Sequence, residues 1–501
     1  MSAVKFRYSS AVLLTRDSGR EVYLVERSPD LKFFGGYWAC PGGVIDAVDR
    51  EAEQGMPRRS DYSRCAAREL FEETGVAIPE LGRALVSSTK TSRVDLRAEL
   101  LDNDDSSWRD LIQNHPIEAP AAESLQYICT LTTPPFAPVR YQTEFFHLNL
   151  PHGEDPIIDH GELVKGKFFT PAAAFELWLK GELFLVPPLV FLLQRLCEFP
   201  LEQAFEVARV RCDEIARGRL SEVRHTPGIF TASLATPTLP PATTTNCYLV
   251  GEQDVYVIDP ATWDASERAR LFRLMDDWLA AGRVFKGVLV SHHHRDHIGS
   301  VVETAERYNL PVLAHELTLG RLPAMPFGSQ ALADGDRLDL GIAPDGTANW
   351  GLQVMHTPGH DRGHLVFIED RYGAAMVGDL VSTLSTIVID PPEGHMRTYW
   401  ESLERMAKTE FGVLYPAHGP AVKDGQACVR YFLKHRRERE QKLVDALQSG
   451  LHELDALLGQ VYQDVRPELM PVARRSLLAG LEKLVEEDRA ERLEDCWRWV
   501  E

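Results

Sequence analysis

Short runs of apolar residues open the chain. Ala11-Val12-Leu13-Leu14 and Val22-Tyr23-Leu24-Val25 predict β-strands, and similar runs at 141–150 and 167–170 predict later ones. Between them a Gly-rich turn leads into a predicted helix over 65–74, with 103–107 and 116–122 as loops. Leu201, Phe205, Ala208, Cys212 and Ile215 recur at helical spacing and predict a connecting helix with one apolar face, stopped by His225-Thr226-Pro227-Gly228. Residues 247–250 and 255–259 predict a hairpin. From 426 onward the period is helical, over 427–449, 453–462 and 470–487, before a short strand-like end at 495–499. The most apolar stretch, 183–196, carries Pro187-Pro188. It falls short of the roughly 20 residues that cross a bilayer, so it predicts core and not membrane. Blocks are thus expected at 1–200, 201–220 (the connecting helix), 221–425 and 426–501.

The third block changes the picture from fold to chemistry. Ten of the 17 histidines lie between His292 and His418. Four clusters of metal-ligand residues each follow a short apolar strand: His292-His293-His294-Arg295-Asp296-His297, Thr357-Pro358-Gly359-His360, Gly378-Asp379 and Pro416-Ala417-His418-Gly419. Strand ends on one side of a sandwich converge, and the flanking glycines and prolines permit tight turns there. A lone histidine is more often structural. Four clusters under one positional rule predict a metal centre with activated water as its chemistry. His293 reads as a passenger. His356 and His364 read equally as supports, substrate contacts or plain structural residues. Asp259, at a strand end, reads as a support.

His-x-His-x-Asp-His resembles the signature of the metallo-β-lactamase superfamily, which implies an αββα sandwich. By that resemblance His292, His294 and His360 bind one Zn²⁺ and Asp296, His297 and His418 bind a second. Asp379 bridges the two. The implied nucleophile is a hydroxide made available at neutral pH by the metals' charge, with Asp296 as the catalytic residue assisting proton transfer. Asn246 and His364 are the candidate substrate-binding residues.

In the first block, Glu69, Glu72 and Glu73 share one helix face, and three clustered carboxylates repel unless cations neutralise them. Oxygen ligands of this kind suit Mg²⁺ or Mn²⁺. With Gly42-Gly43 upstream, Arg68-Glu69-Leu70-Phe71-Glu72-Glu73-Thr74-Gly75 resembles the Nudix box, which implies an α/β/α sandwich. The gap of 25 residues between Gly43 and Arg68 is longer than usual and similar to the branch that includes coenzyme A diphosphatases; Asp49 would then replace the upstream glutamate. The resemblance implies a pyrophosphohydrolase, with Glu69 and Glu73 catalytic and a nucleoside diphosphate derivative as substrate.

Composition narrows the partners. A net charge of -20 excludes a broadly basic nucleic-acid binder or anionic-membrane binder. The eight cysteines form no Cys-x-x-Cys pair, and the first residues carry no apolar signal segment, so a reduced, cytoplasmic protein is expected. Residues 421–501 are closer to neutral, with 14 basic against 16 acidic side chains. This tail resembles the winged-helix domain of lactamase-β-like endoribonucleases. The fold class is therefore α/β and α+β multidomain, with a C-terminal winged-helix-like helical domain. The leading expectation for the zinc centre is cleavage of single-stranded RNA. The alternative is a glyoxalase II-like thioester or ester hydrolase, with a Nudix module that binds nucleotide or acyl-CoA in a regulatory role.

Overall fold

The computed structural model describes residues 6–31, 34–50, 55–87, 92–102, 104, 106–114, 124–159, 161–494 and 496–500. The chain divides into two compact units, Met1–Pro227 and Gly228–Glu501.

The first unit is built on a seven-stranded sheet. Its central strand, Phe6–Arg16, runs parallel to Arg140–Asn149 and antiparallel to both Glu21–Arg27 and Gly42–Val44. Period-2 alternation divides its side chains between two cores. Val12, Leu14, Tyr23 and Val25 pack under the helix Arg59–Thr74, while Leu13, Val22 and Leu24 pack on the opposite face under Pro171–Leu179, Pro187–Glu198 and Leu201–Ala216. The result is an α/β/α sandwich. The apolar stretch at 183–196 lies in the second of these cores. The helix expected to connect two blocks, Leu201–Ala216, buries Phe205, Ala208 and Cys212 in that same core, because its apolar stripe faces the sheet. Three helices, Pro79–Ser87, Arg93–Leu101 and Ser106–Asn114, and the strand Gln126–Thr132 are not among the elements predicted from the sequence. Ser106 opens a helix where a loop was expected, and the loop expected at 116–122 lies outside the described residues.

In the second unit two sheets face one another. The first has six strands, ordered Ser329–Leu332, Val312–His315, Val284–Leu289, Asp254–Ile258, Thr244–Gly251 and Ile229–Ala235. The second has five, ordered Arg337–Gly341, Trp350–His356, Leu365–Glu369, Ala374–Gly378 and Leu414–Pro416. Helices Ala265–Ala280 and Val301–Tyr308 cover the first sheet, and Met396–Lys408 packs with the second, giving an αββα sandwich. Three helices follow, Gly425–Gln448, Leu454–Val461 and Met470–Glu486, with a hairpin of Ala490–Leu493 and Cys496–Trp499. They close around Leu443, Leu457, Leu477, Leu481 and Trp497 as a winged-helix-like body. Among the described residues no helix is long and apolar enough to cross a membrane.

Candidate metal centre and the acidic site of the first unit

Each ligand cluster of the second unit leaves the end of a buried strand. Val284–Leu289 leads to His292, Trp350–His356 to His360, Ala374–Gly378 to Asp379, and Leu414–Pro416 to His418. Their side chains meet. Ligand atoms of His292, His294 and His360 lie within 4.8 Å of one another, as do those of Asp296, His297 and His418, and those of His292, His297 and Asp379. The two oxygens of Asp379 reach in different directions. Oδ2 is 3.4 Å from His360 Nε2, and Oδ1 is 3.4 Å from His418 Nε2 and 3.7 Å from His297 Nε2. Asp296 Oδ2 lies 3.5 Å from His418 Nε2.

These residues fit a metal centre on their own chemistry. His297 Nε2, His360 Nε2 and Asp379 Oδ1 are buried polar atoms with no hydrogen-bond partner. A folded interior rarely leaves such atoms unsatisfied. Burial, reinforced by the neighbouring rings, lowers His292 far below the ordinary histidine range and His294 to about 3. Both rings are thus neutral, the form that binds metal. The donor set is imidazole and carboxylate, which suits zinc and other first-row transition ions.

The far sides of the His292, His297, His360 and His418 rings are held. Asp259 accepts from the backbone N–H of Ser291 (2.8 Å), from Ser291 Oγ (2.6 Å) and from His297 Nδ1 (2.9 Å). Ser291 Oγ also lies 3.0 Å from His292 Nδ1. His360 Nδ1 donates to the Val388 carbonyl (2.8 Å) and His418 Nδ1 to that of Thr244 (3.0 Å). Such partners set which nitrogen is left for the metal.

The remaining predicted residues take other places. Asn246, read as a substrate contact, is 2% exposed, and its amide nitrogen donates to the carbonyls of Pro416 (3.0 Å) and Gly419 (2.8 Å). It ties down the His418 loop. His364 is fully buried; its Nε2 accepts the Asp379 backbone N–H at 3.0 Å and its Nδ1 faces Thr357 Oγ1 at 2.8 Å, so it supports Asp379. His356 stacks on His315 at 4.2 Å. His293 is held between Asp361 (2.7 Å) and Arg321 (3.0 Å). Sequence reading missed Ser291 and Asp361. A hydroxyl and a carboxylate one residue from a ligand were the available signal.

In the first unit, the helix Arg59–Thr74 lies over the strand Gly42–Val44. Arg68 forms two bonds to the fully buried Asp49, at 3.0 and 2.8 Å, and also reaches Glu69 (2.9 Å) and Glu72 (3.1 Å). Asp49 therefore meets the box across the insertion, of which residues 51–54 lie outside the described residues. Glu73 accepts the Gly42 N–H at 2.8 Å. A Cβ on Gly43 would lie 2.4 Å from the Glu69 carboxyl, so the close approach requires glycine there. Burial pushes Glu69 up to about 7, against the pull of Arg68. Among the described residues, the tight three-ligand clusters all lie in the second unit. Here Glu69 and Glu72 share Arg68 instead, an all-oxygen donor set that suits Mg²⁺ or Mn²⁺.

Comparison with known proteins agrees with this division. The metallo-beta-lactamase superfamily matches residues 240–418, the beta-lactamase associated winged helix domain 454–499, and the NUDIX domain 5–108. The lactamase-like protein adaB of Aspergillus niger is 29% identical over 216 residues, covering 43% of this chain and 62% of its own length. An atrochrysone carboxyl ACP thioesterase of Aspergillus fumigatus is 26% identical over 230 residues, covering 45% of this chain and 50% of its own length. The chain thus spans 50 to 62% of the length of these two relatives. Among solved structures, a metallo-beta-lactamase family protein of Thermus thermophilus is 22% identical with a TM-score of 0.44, covering 55% of this chain and 99% of that one. The protein is a fusion of an N-terminal Nudix domain with a C-terminal metallo-β-lactamase-superfamily domain.

Proposed function

We propose that the metal centre of the second unit hydrolyses an acyl thioester, and that the acidic site of the first unit hydrolyses the pyrophosphate of a nucleoside diphosphate derivative. The observation that carries the thioester reading is that relatives named as thioesterases align with 40 to 45% of the chain at 26 to 28% identity. It reverses the order of the two expectations drawn from the sequence. A second observation weighs against RNA. The six basic side chains of the helix Gly425–Gln448 all have partners. Arg430, Lys434, Arg437, Arg439 and Lys442 face Asp424, Glu438, Glu404 or Asp464, and Arg436 donates to the Ile387 carbonyl. That leaves no unpaired basic stripe on this helix for phosphates.

The chemistry asked of the site is modest, because a thiolate is a good leaving group, with a thiol pKa of about 8.5. Ions held by His292, His294, His360, Asp296, His297, His418 and Asp379 would polarise the carbonyl and acidify water. Asp259 and Ser291 keep His292 and His297 in register for that role. Asp296 has the more exposed side chain of the two carboxylates, 18% against 11% for Asp379, and takes up the proton of the attacking water. In the first unit Arg68 holds Asp49, Glu69 and Glu72 in one array, and Glu73 is fixed on Gly42. An acyl-coenzyme A carries both a thioester and a pyrophosphate, and is the substrate class that would give both sites work.

The test is thiol release from a series of acyl-coenzyme A thioesters by the zinc-loaded protein. Asp296→Ala should lower kcat/KM by about 100-fold or more. RNA cleavage without thiol release would overturn the thioester reading. With Mg²⁺, the protein should release a nucleoside monophosphate from coenzyme A or a related diphosphate. Unchanged turnover in Glu73→Gln would refute the second assignment.

A further inference from the structure

The bond that orients His360 comes from a segment gripped by the C-terminal helices. Three consecutive residues, Ile387, Val388 and Ile389, bond in three directions. The Ile387 carbonyl accepts from Arg436 Nη2, on the helix Gly425–Gln448. The Val388 carbonyl accepts from His360 Nδ1 at 2.8 Å. The Ile389 N–H donates to Ser476 Oγ at 3.3 Å, on the helix Met470–Glu486. Arg436 is 5% exposed and Ser476 7%, so neither bond is a surface accident. Ile387 and Ile389 are themselves buried, packed with residues of both C-terminal helices, Val429 and Ala479 among them.

We infer that Arg436 and Ser476 are positioning residues for the metal centre. By fixing the carbonyl of Ile387 and the N–H of Ile389, they aim the Val388 carbonyl at His360 Nδ1. That acceptor holds the ring proton on Nδ1 and leaves Nε2 bare, pointing at Asp379 from 3.4 Å. Arg436 does so from within the metal domain's own core: its guanidinium lies 5.1 Å from the ring of Tyr399, whose hydroxyl donates to the Leu380 carbonyl beside Asp379 (2.8 Å). The C-terminal helical body is then a working part of the centre and not an appended module. Of the two grips Arg436 is the stronger, since a charged donor bonds about twice as well as a neutral one.

The inference rests on His360 being a metal ligand, and the experiment separates the two. Metal affinity of the full-length chain is measured by competition with a chromophoric chelator, with thermal melting of the metal-free protein alongside. His360→Ala tests the ligand; if it binds both ions as tightly as the parent, the ligand assignment fails. Arg436→Met should weaken one ion by about 10- to 100-fold, the usual loss when the partner behind a ligand is removed. Ser476→Ala should act in the same direction and less, and Arg436→Lys should restore part of the loss. Arg437→Met, one position along on an exposed ion pair, should change nothing. If Arg436→Met does not fold, Ser476→Ala and Arg436→Lys decide. Parent-like affinity in the folded variants, with His360→Ala defective, overturns the inference.

Discussion

Asp259→Asn tests the logic of the centre most directly, because the substitution keeps volume and removes one acceptor. Asp259 is 2% exposed, so no water takes over its bonds. Oδ1 accepts the Ser291 N–H at 2.8 Å, and an asparagine carbonyl can keep that bond. Oδ2 accepts from two donors, Ser291 Oγ at 2.6 Å and His297 Nδ1 at 2.9 Å. An amide NH₂ in that place is itself a donor. The Ser291 hydroxyl can rotate to accept from it. The imidazole can adapt only by giving up the Nδ1 proton, which moves the proton to Nε2, the atom that faces Asp379 Oδ1. His297 then presents N–H where a metal needs a lone pair. The expected outcome is a loss of about 10- to 100-fold in affinity for one ion, equivalent to about 1.4 to 2.7 kcal/mol. The site made by Asp296, His297 and His418 is the one affected. The assay is metal titration against a chelator, with circular dichroism and melting of the metal-free variant as the control for folding. A folded variant that binds both ions with parental affinity would refute the tautomer argument.

Three further outcomes follow from the geometry. Gly43→Ala places a Cβ 2.4 Å from the Glu69 carboxyl, the far end of a flexible chain, so Glu69 should swing away at small cost in stability; pyrophosphate hydrolysis should fall at least tenfold while thioester turnover is unchanged. Gly359→Ala meets the backbone of Tyr399 at 2.3 Å and sits at φ 137°, so nothing can yield cheaply; the second unit should lose about 1–3 kcal/mol or more, read by urea denaturation, and the His360 ligand should lose affinity. Two buried histidines should make a share of the first unit's stability acid-sensitive, against Glu69 and Glu144, which burial pushes up to about 7 and which act with the opposite sign. Burial lowers His147 and His225 to about 4, so the unfolded chain binds more protons below its own pKa of about 6.5. The histidines' share is fully present above pH 6.5 and lost as the pH falls toward 4, by about 2 kcal/mol per group at pH 5. Urea unfolding of parent and His147→Gln across that window isolates this share: the variant should gain stability relative to the parent as the pH falls, and a constant difference between the two would count against the argument.

The sequence made legible what is carried by side chains at strand ends. His292, His294, Asp296, His297, His360, Asp379 and His418 all follow short apolar strands, and the fold brings such ends together because both sheets of a sandwich expose one set of them. The same holds in the first unit, where alternation along Phe6–Arg16 assigns Val12 and Leu14 to one core and Leu13 to the other. What escaped the sequence is carried by the backbone or by distant pairing. Asn246 reads as a polar residue near the site, yet its strand is buried at every position from Thr244 to Gly251, and its amide donates to the carbonyls of Pro416 and Gly419. Arg437 and Arg439 of the helix Gly425–Gln448 pair with Glu404 and Asp464, partners that lie far away in sequence. The orientation of His360 was the least legible of all. Its partner is a backbone carbonyl, which any residue type supplies, and that carbonyl is steadied by contacts spanning 49 and 87 positions of sequence. A ligand's identity is local information, whereas its direction is tertiary information. This is why a motif finds the candidate ligands of such a centre and passes over the arginine and serine that aim one of them.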